Sequence, residues 1–330
     1  MAEQPVRCML LIVDPPCGEA ARQAVRQLAK SRSTLKPIKS CCTRGSVAAF
    51  ILPSQRVPGL LELLARCSLV EFVEAACARR RLGGEPPVSY VLVGRVAIVS
   101  LDERLAGRER EVAEEILRAV PGLRAVYGKL RTSGEFRVQE LVHLAGESVD
   151  EVVHRENGLK FLVPLGRVYF NPRLATEHLR VAEMVGEGEI VLDMFSGVGG
   201  FALTISKLGR ARLVVANDAN PWAVAALVRS AEMNRRLLRS PLLALNMDAA
   251  QLPKVLWPVF DRVIMNLPHG ATRFIPAARA LCRPGCTAHV YVVASSEEDA
   301  LSQVPGGFSA SRAFDYAPKL YVYRVDAKLG

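Results

Sequence analysis

The chain has 330 residues, half of them hydrophobic and 23% charged, a globular composition long enough for two or three domains around one large core. No apolar run approaches the roughly 20 residues a membrane span needs, and the polar start, residues 1–8, lacks the pattern of a secretory leader. These features exclude a disordered chain and a helical membrane protein and point to the cytoplasm. The net charge of +10 suits a polyanionic partner, since each phosphate contact releases counterions, although a basic enzyme with no nucleic-acid role carries the same charge.

Six of the eight cysteines (Cys8, Cys17, Cys41, Cys42, Cys67 and Cys77) lie in the first quarter of the chain. None form a C-x-x-C pair, so no zinc site is expected, and buried free thiols in a reducing cytosol are the default. Arginine outnumbers lysine, and Asn and Gln are sparse. That hints at a hot-living source, where intracellular disulfides occur.

The predicted elements begin with a strand over 7–13, an amphipathic helix over 18–30, a strand over 47–52 and a helix over 59–66. They make a small α+β module, expected over 1–84, that closes on Arg79-Arg80-Arg81 and the linker from Gly83 to Pro87. The arginine run is either a solvated face or a phosphate contact. A second α+β domain, expected over 85–157, opens with a strand over 91–100 and a helix over 109–119. Loop and strand character then alternate through 127–131, 135–139 and 154–169. Beyond Asn171, strands over 190–195, 213–217, 242–246, 262–266 and 289–294 alternate with helical stretches. That rhythm predicts a doubly wound, parallel, Rossmann-like α/β domain over 158–330. Segments 308–314 and 319–325 are separated only by a Pro-containing turn and predict an antiparallel hairpin closing the sheet.

Chemistry concentrates in this last part. Asp193-Met-Phe195-Ser-Gly197-Val-Gly199-Gly200 is a strand end running into a glycine-rich turn and a helix, which lets a ligand approach the backbone above a helix N-terminus. Asp218 ends the next strand, where an acid can take both hydroxyls of a ribose. A nicotinamide-binding fold shares these features. Two details favour S-adenosylmethionine: Asp193 precedes the glycines, suited to a cationic amino acid moiety, and the loop lies halfway along the chain. Asp248, after the third strand, either hydrogen-bonds an adenine amino group or caps the helix that follows.

Asn266-Leu267-Pro268-His269 ends the fourth strand and faces the same crevice, offering an amide and a carbonyl fixed by proline to a planar base edge. The alternative is a turn that starts with Asn. Upstream, Asn171 and Pro172 read as the N-cap and first residue of a helix that aligns Leu174, Glu177, Val181 and Met184. Helix spacing makes Glu177 either a desolvated general base or a surface partner of Arg173 or Arg180, and favours the latter.

Ordered motifs carry a resemblance beyond these patterns. Gly134-Glu-Phe-Arg137, Leu144-Ala-Gly-Glu147, His154-Arg-Glu-Asn-Gly158 and Tyr169-Phe-Asn-Pro-Arg173-Leu174 lead to Glu177. They are followed by Asp193-Met-Phe195, Asn220-Pro221, Asn266-Leu-Pro268 and His289-Val-Tyr291. From about Tyr127 to Val293 the chain resembles the archaeal and eukaryotic tRNA (guanine-N1) methyltransferases that modify guanosine 37 beside the anticodon. The resemblance implies that Arg137 bonds guanine O6 and stabilises the charge that develops there, Glu177 takes the N1 proton, Asn266 orients a flipped base, and Tyr169 lies near the methyl donor. For Glu177 it overrides the spacing. It implies cofactor contacts for Asp193, Phe195, Gly197, Gly199, Asp218, Asp248, Asn266 and Tyr169. For the RNA it implies Arg137, Arg173 and Pro268, with Arg79, Arg80 and Arg81 in a module that grips the outer corner of tRNA. No metal, no membrane and a monomer complete the expectation.

Four departures stand out. Ser196 and Gly200 replace an expected alanine and proline, a change expected to leave cofactor binding intact. Asn217 stands where an apolar residue is usual, and His269-Gly270 follows Asn-Leu-Pro where members vary. The alternatives are an aminocarboxypropyl transferase of the wyosine pathway, against which Asn266 argues, a bifunctional member that also methylates the tricyclic precursor, a nicotinamide dehydrogenase, and a non-catalytic tRNA-binding protein.

Overall fold

The computed structural model describes the backbone of residues 6–13, 48–52 and 70–77 and, beyond these, residues 89–101, 105–133 and 138–329. The chain divides into two compact units, Met1–Leu82 and Gly83–Gly330. In the first, strands β1 (Val6–Val13), β2 (Ala48–Leu52) and β3 (Val70–Cys77) form an antiparallel sheet in the order β2-β1-β3. β1 and β2 fall where the sequence predicts strands, whereas β3 has no counterpart in the prediction. The helices expected over 18–30 and 59–66, and Arg79, Arg80 and Arg81, lie outside the described residues.

The second unit opens with β4 (Tyr90–Val93) and β5 (Val96–Ser100), an antiparallel hairpin where a single strand over 91–100 was expected. The break is at Gly94, whose φ of +58° makes the turn. Helix α1 (Glu109–Ala119) crosses over to β6 (Ala125–Ser133), parallel to β5, and β7 (Val138–Gly146) runs antiparallel to β6. Val112, Ala113 and Ile116 of α1 bury against Ala97, Val99 and Val126 of this sheet. Strands β8 (Glu151–Glu156) and β9 (Leu159–Pro164) pair through Asn157-Gly158, both with positive φ, the backbone a two-residue hairpin turn requires. The domain boundary expected between 157 and 158 therefore falls inside this turn, with one ladder running across it.

The large sheet has seven strands: β10 (Ile190–Asp193), β11 (Leu213–Asn217), β12 (Leu242–Leu245), β13 (Phe260–Met265), β14 (Cys282–Ala294), β15 (Gly307–Ala317) and β16 (Leu320–Lys328). Their order is β12-β11-β10-β13-β14-β16-β15, with β10 to β14 parallel and β15 and β16 antiparallel. The Rossmann-like α/β domain with a terminal hairpin is thus as expected. The strand order reverses at β10, and that switch point opens a crevice at the carboxyl ends of β10 and β13. Helices α2 (Ala175–Glu183), α3 (Gly200–Leu208) and α4 (Pro221–Asn234) contribute Val181, Leu203 and Leu227 to the core on one face. On the other, α5 (Ile275–Leu281) and α6 (Glu297–Ser302) bury Ala278, Leu281 and Ala300.

One expectation fails in this region. Cys282 and Cys286, at the start of β14, form a disulfide, so the default of free thiols does not hold for them. Among the described residues no helix is long and apolar enough to cross a membrane, and no cluster of His, Cys, Asp or Glu could hold a metal.

Candidate active site

The glycine loop is shaped by its own backbone. Gly197 and Gly199 have φ of +54° and +98°, conformations that favour glycine, and Gly199 caps α3. Asp218 ties this loop to β11: its Oδ2 accepts from Gly197 N at 2.8 Å and its Oδ1 from Asn220 N at 2.9 Å. Burial raises its pKa, opposed by those two amides. Asp218, Phe195, Gly197, Asp248, Asn266, Pro268 and Tyr169 all line one cavity at the carboxyl ends of the strands. The sequence thus brings together most of its expected cofactor residues.

Asp248 caps the turn that follows it. Its Oδ1 accepts from Ala250 N at 2.9 Å, capping the 3-10 turn Ala249–Lys254, and its side chain still borders the cavity. Asn266 follows β13, and Gly270 N and Ala271 N donate to Leu267 O in the turn beyond it. Asn266 Oδ1 is buried with no hydrogen-bond partner. A buried acceptor without a partner, on a residue that lines a cavity, is a candidate for a ligand's donor. Phe195 and Phe274 meet edge to face at 5.0 Å and form an apolar wall.

Two of the expected cofactor residues do not line the cavity. Gly199 turns the chain, and Asp193 is fully buried beneath the loop with neither oxygen in a hydrogen bond. Burial, reinforced by the charge of Asp218, pushes the Asp193 carboxyl up to about 8. The amides of Phe195 and Ala202 lie near enough to oppose this, but without hydrogen-bond alignment. A cation above the loop would favour the ionised form of such a carboxyl, which suits the charge of S-adenosylmethionine. The acceptors at the site also match that cofactor: Asp218 suits the ribose hydroxyls and Asp248 the adenine amino group.

Asn217, one residue before Asp218, is fully buried. Its Nδ2 donates to Met194 O at 3.1 Å and Met247 O at 3.0 Å, and its Oδ1 accepts from Met247 N at 3.1 Å. It stitches together the segments after β10 and β12, where an apolar residue would leave three backbone groups unpaired.

Asn171 caps its turn as expected, its Oδ1 accepting from Arg173 N at 3.1 Å. Arg173 itself is exposed and does not line the cavity. Glu177 combines parts of both sequence readings: it is buried, and it pairs with Arg180. It is 3% exposed, so it is no surface residue, yet it lies outside the cavity lining. Tyr291 OH and Arg324 Nη1 donate to its Oε1 at 2.9 and 2.8 Å, and Arg180 Nη1 donates to its Oε2 at 2.8 Å. Leu174, His178 and Val322 line the cavity, and Glu177 does not. Arg324 lies in a hairpin strand whose alternation gave no hint of a site. Tyr291 belongs to the matched His-Val-Tyr motif and had no assigned role. Arg137 lies outside the described residues.

His178 is a cavity residue that sequence reasoning missed. It is buried, and its Nδ1 lies 2.6 Å from Glu156 Oε1. Glu156 was legible only as part of a matched motif.

A seven-stranded Rossmann-like sheet with a glycine loop, a ribose-type acid and an Asn-Leu-Pro turn on one crevice has the architecture of an S-adenosylmethionine-dependent methyltransferase. Residues 152–305 match the TRM5/TYW2 methyltransferase domain and residues 78–149 the TYW2 N-terminal domain. The chain is 39% identical over 206 residues to tRNA (guanine(37)-N(1))-methyltransferase Trm5b of Pyrococcus abyssi, covering 62% of this chain and 60% of that protein. It is 30% identical over 248 residues to the Trm5b of Methanocaldococcus jannaschii, covering 73% and 71%. The crystal structure of the Pyrococcus abyssi Trm5b superposes with a TM-score of 0.67 at 29% identity, covering 97% of this chain and 98% of that one. The chain belongs to the TRM5/TYW2 methyltransferase family.

Proposed function

We propose that this protein transfers the methyl group of S-adenosylmethionine to N1 of guanosine 37 in tRNA, next to the anticodon. The observation that carries this is the buried, unpartnered Asn266 amide oxygen in the cavity that also holds Asp218 and the glycine loop. A group that reads a base edge and an acid and loop for a nucleoside cofactor thereby share one chamber, as a transfer between them requires.

When bound, S-adenosylmethionine supplies an electrophilic methyl on a positively charged sulfur. The chain's own residues do the rest. Guanine N1–H is weakly acidic, so Arg137 neutralises charge developing at O6 while Glu177 accepts the proton. Loss of that proton leaves N1 with the lone pair that would take the methyl group, the sulfur keeping the electrons of the bond it loses. Asn266 and Pro268 hold the base, which must leave the anticodon stack to enter the cavity. Tyr169, on the cavity wall, would lie near the methyl donor, and the exposed Arg173 would take phosphate. Arg79, Arg80 and Arg81 contact the outer corner of the tRNA. The protein works as a monomer in the cytoplasm, and the net charge of +10 supports an RNA partner.

The test is methylation of tRNA transcripts that differ only at position 37. Transfer to G37 and none to A37 or U37, with 1-methylguanosine as the product, is expected. Equal transfer to all three would place the target elsewhere.

A further inference from the structure

The Glu177 carboxylate is held by two kinds of partner, one on each oxygen. On Oε1 both donors are fixed. Tyr291 is fully buried and Arg324 is 3% exposed. Burial, and then the charge of Glu177, push the Tyr291 phenol well above its ordinary value, so it remains a donor. Arg324 is itself clamped, its Nε donating to Asp326 Oδ1 at 2.8 Å. His289 Nδ1 meets the same Oδ1 at 2.6 Å, and His289 Nε2 faces Arg262 Nη1 at 2.7 Å. An arginine only donates, so Nε2 accepts and Nδ1 carries the proton, which leaves His289 neutral. Burial lowers its pKa in agreement. Arg262 closes the chain on Glu189 at 2.6 Å. Carboxylates and guanidiniums thus alternate around one neutral imidazole, across β13, β14 and β16.

On Oε2 the only donor among the described residues is Arg180, from the same helix, with 45% of its side chain exposed. Such a guanidinium loses little by turning to water or to a phosphate, whereas moving Arg324 would strip Asp326 of a buried partner. A buried ion pair by itself adds little stability over an apolar contact, so this one calls for a reason other than the fold.

On the reading that Glu177 is the general base, we propose that its Oε2 is the atom that accepts the guanine N1 proton. Arg324 and Tyr291 are positioning residues that anchor Oε1, and Arg180 is a latch withdrawn when RNA binds. The proton passes from N1 to Oε2 without disturbing either donor on Oε1.

The experiment uses the intact protein and a G37 tRNA transcript. Single-turnover methylation is measured against pH for wild type, Glu177→Gln, Arg324→Met, Arg324→Lys, Tyr291→Phe and Arg180→Ala, with cofactor affinity by calorimetry as a check of the fold. Wild type should show a rate that rises with pH and levels off. Arg324→Met should slow the plateau by on the order of 10²-fold, the lower range of general-base effects, and move the rising limb to higher pH, because it removes a cation from the carboxylate. Arg324→Lys should recover part of both losses, and Tyr291→Phe should show a smaller version of the same pair. Arg180→Ala should raise the plateau by a few-fold at most, since it releases a half-exposed pair. Should Arg324→Met fail to bind cofactor, Arg324→Lys and Tyr291→Phe carry the test. An unmoved limb in the Arg324 and Tyr291 variants, with the limb lost in Glu177→Gln, would overturn the positioning role and leave the base assignment standing. A plateau in Arg180→Ala as low as in the Arg324 variants would overturn the choice of Oε2. A limb that survives Glu177→Gln would instead remove Glu177 as the base.

Discussion

The imidazole of His178 fills the space in which a side chain at Gly200 would stand: a Cβ there would lie 2.3 Å from His178 Cε1 and 2.5 Å from Nε2. The ring cannot easily retreat, because its Nδ1 is bonded to Glu156 and its face meets Phe201 at 4.5 Å between centroids. The glycine that replaces an expected proline is therefore matched to a histidine one helix away. Gly200→Ala should cost about 1–3 kcal/mol, the usual range for overpacking. In the His178→Ala background the same change should cost much less. Urea denaturation of the four members of this cycle measures the coupling, and simple additivity would show that the two side chains do not compete.

Asp193 links cofactor binding to pH. Its carboxyl is pushed up to about 8 in the folded chain from an ordinary 3.8, so between these values the folded state holds a proton that the unfolded state has released. Stability without ligand should then fall as pH rises from about 4 to about 8 and level off above, the sign expected for a raised carboxyl pKa. A cation bound above the loop favours the ionised form, so S-adenosylmethionine should displace a proton and bind more tightly as pH rises toward 8. Calorimetry at pH 7 in two buffers of different ionisation enthalpy should detect that proton in wild type and not in Asp193→Asn. Equal proton release in both would assign the linkage to another group.

Asn217→Leu should destabilise the chain by about 1–3 kcal/mol, since it leaves Met194 O, Met247 O and Met247 N buried without their partner. Cofactor affinity should fall as well, because Asp248 follows Met247 directly. A variant as stable as wild type would mean that the two segments hold their places without the asparagine.

The sheet was legible in the sequence because each parallel strand is a short apolar run ended by a polar residue at the crevice, as in Val191-Leu192-Asp193 and Val214-Val215-Ala216-Asn217. The glycine loop and Asn-Leu-Pro turn were legible for a related reason: each packs several residues of unusual conformation or chemistry into a few positions. Partnerships across long separations were not. Glu177 and Arg324 are 147 residues apart, and nothing local to either reveals the other. His178 gave no signal at all, because one histidine on a helix is as compatible with a core as with a cavity. The hairpin at β4 and β5 was missed because Gly94-Arg95 interrupts a run whose apolar character is otherwise continuous.

The arginine run Arg79-Arg80-Arg81 can be tested in the intact protein. If it holds the outer corner of tRNA, changing all three to alanine should raise the concentration of full-length transcript needed for half-maximal methylation. Activity on an anticodon stem-loop should stay the same. Neutralising up to three phosphate contacts should also reduce the salt slope of binding by up to about 3. An equal loss on both RNAs would move these residues to the anticodon side or to a general electrostatic role.

The central claim is that a methyl group moves, and not the aminocarboxypropyl arm of the same cofactor. The direct measurement incubates the protein with G37 transcript and S-adenosylmethionine labelled either in the methyl group or in the carboxyl carbon, then counts the RNA. Label from the methyl group alone, recovered as 1-methylguanosine at position 37, is the predicted result. Label from the carboxyl carbon, or none from either, would contradict it.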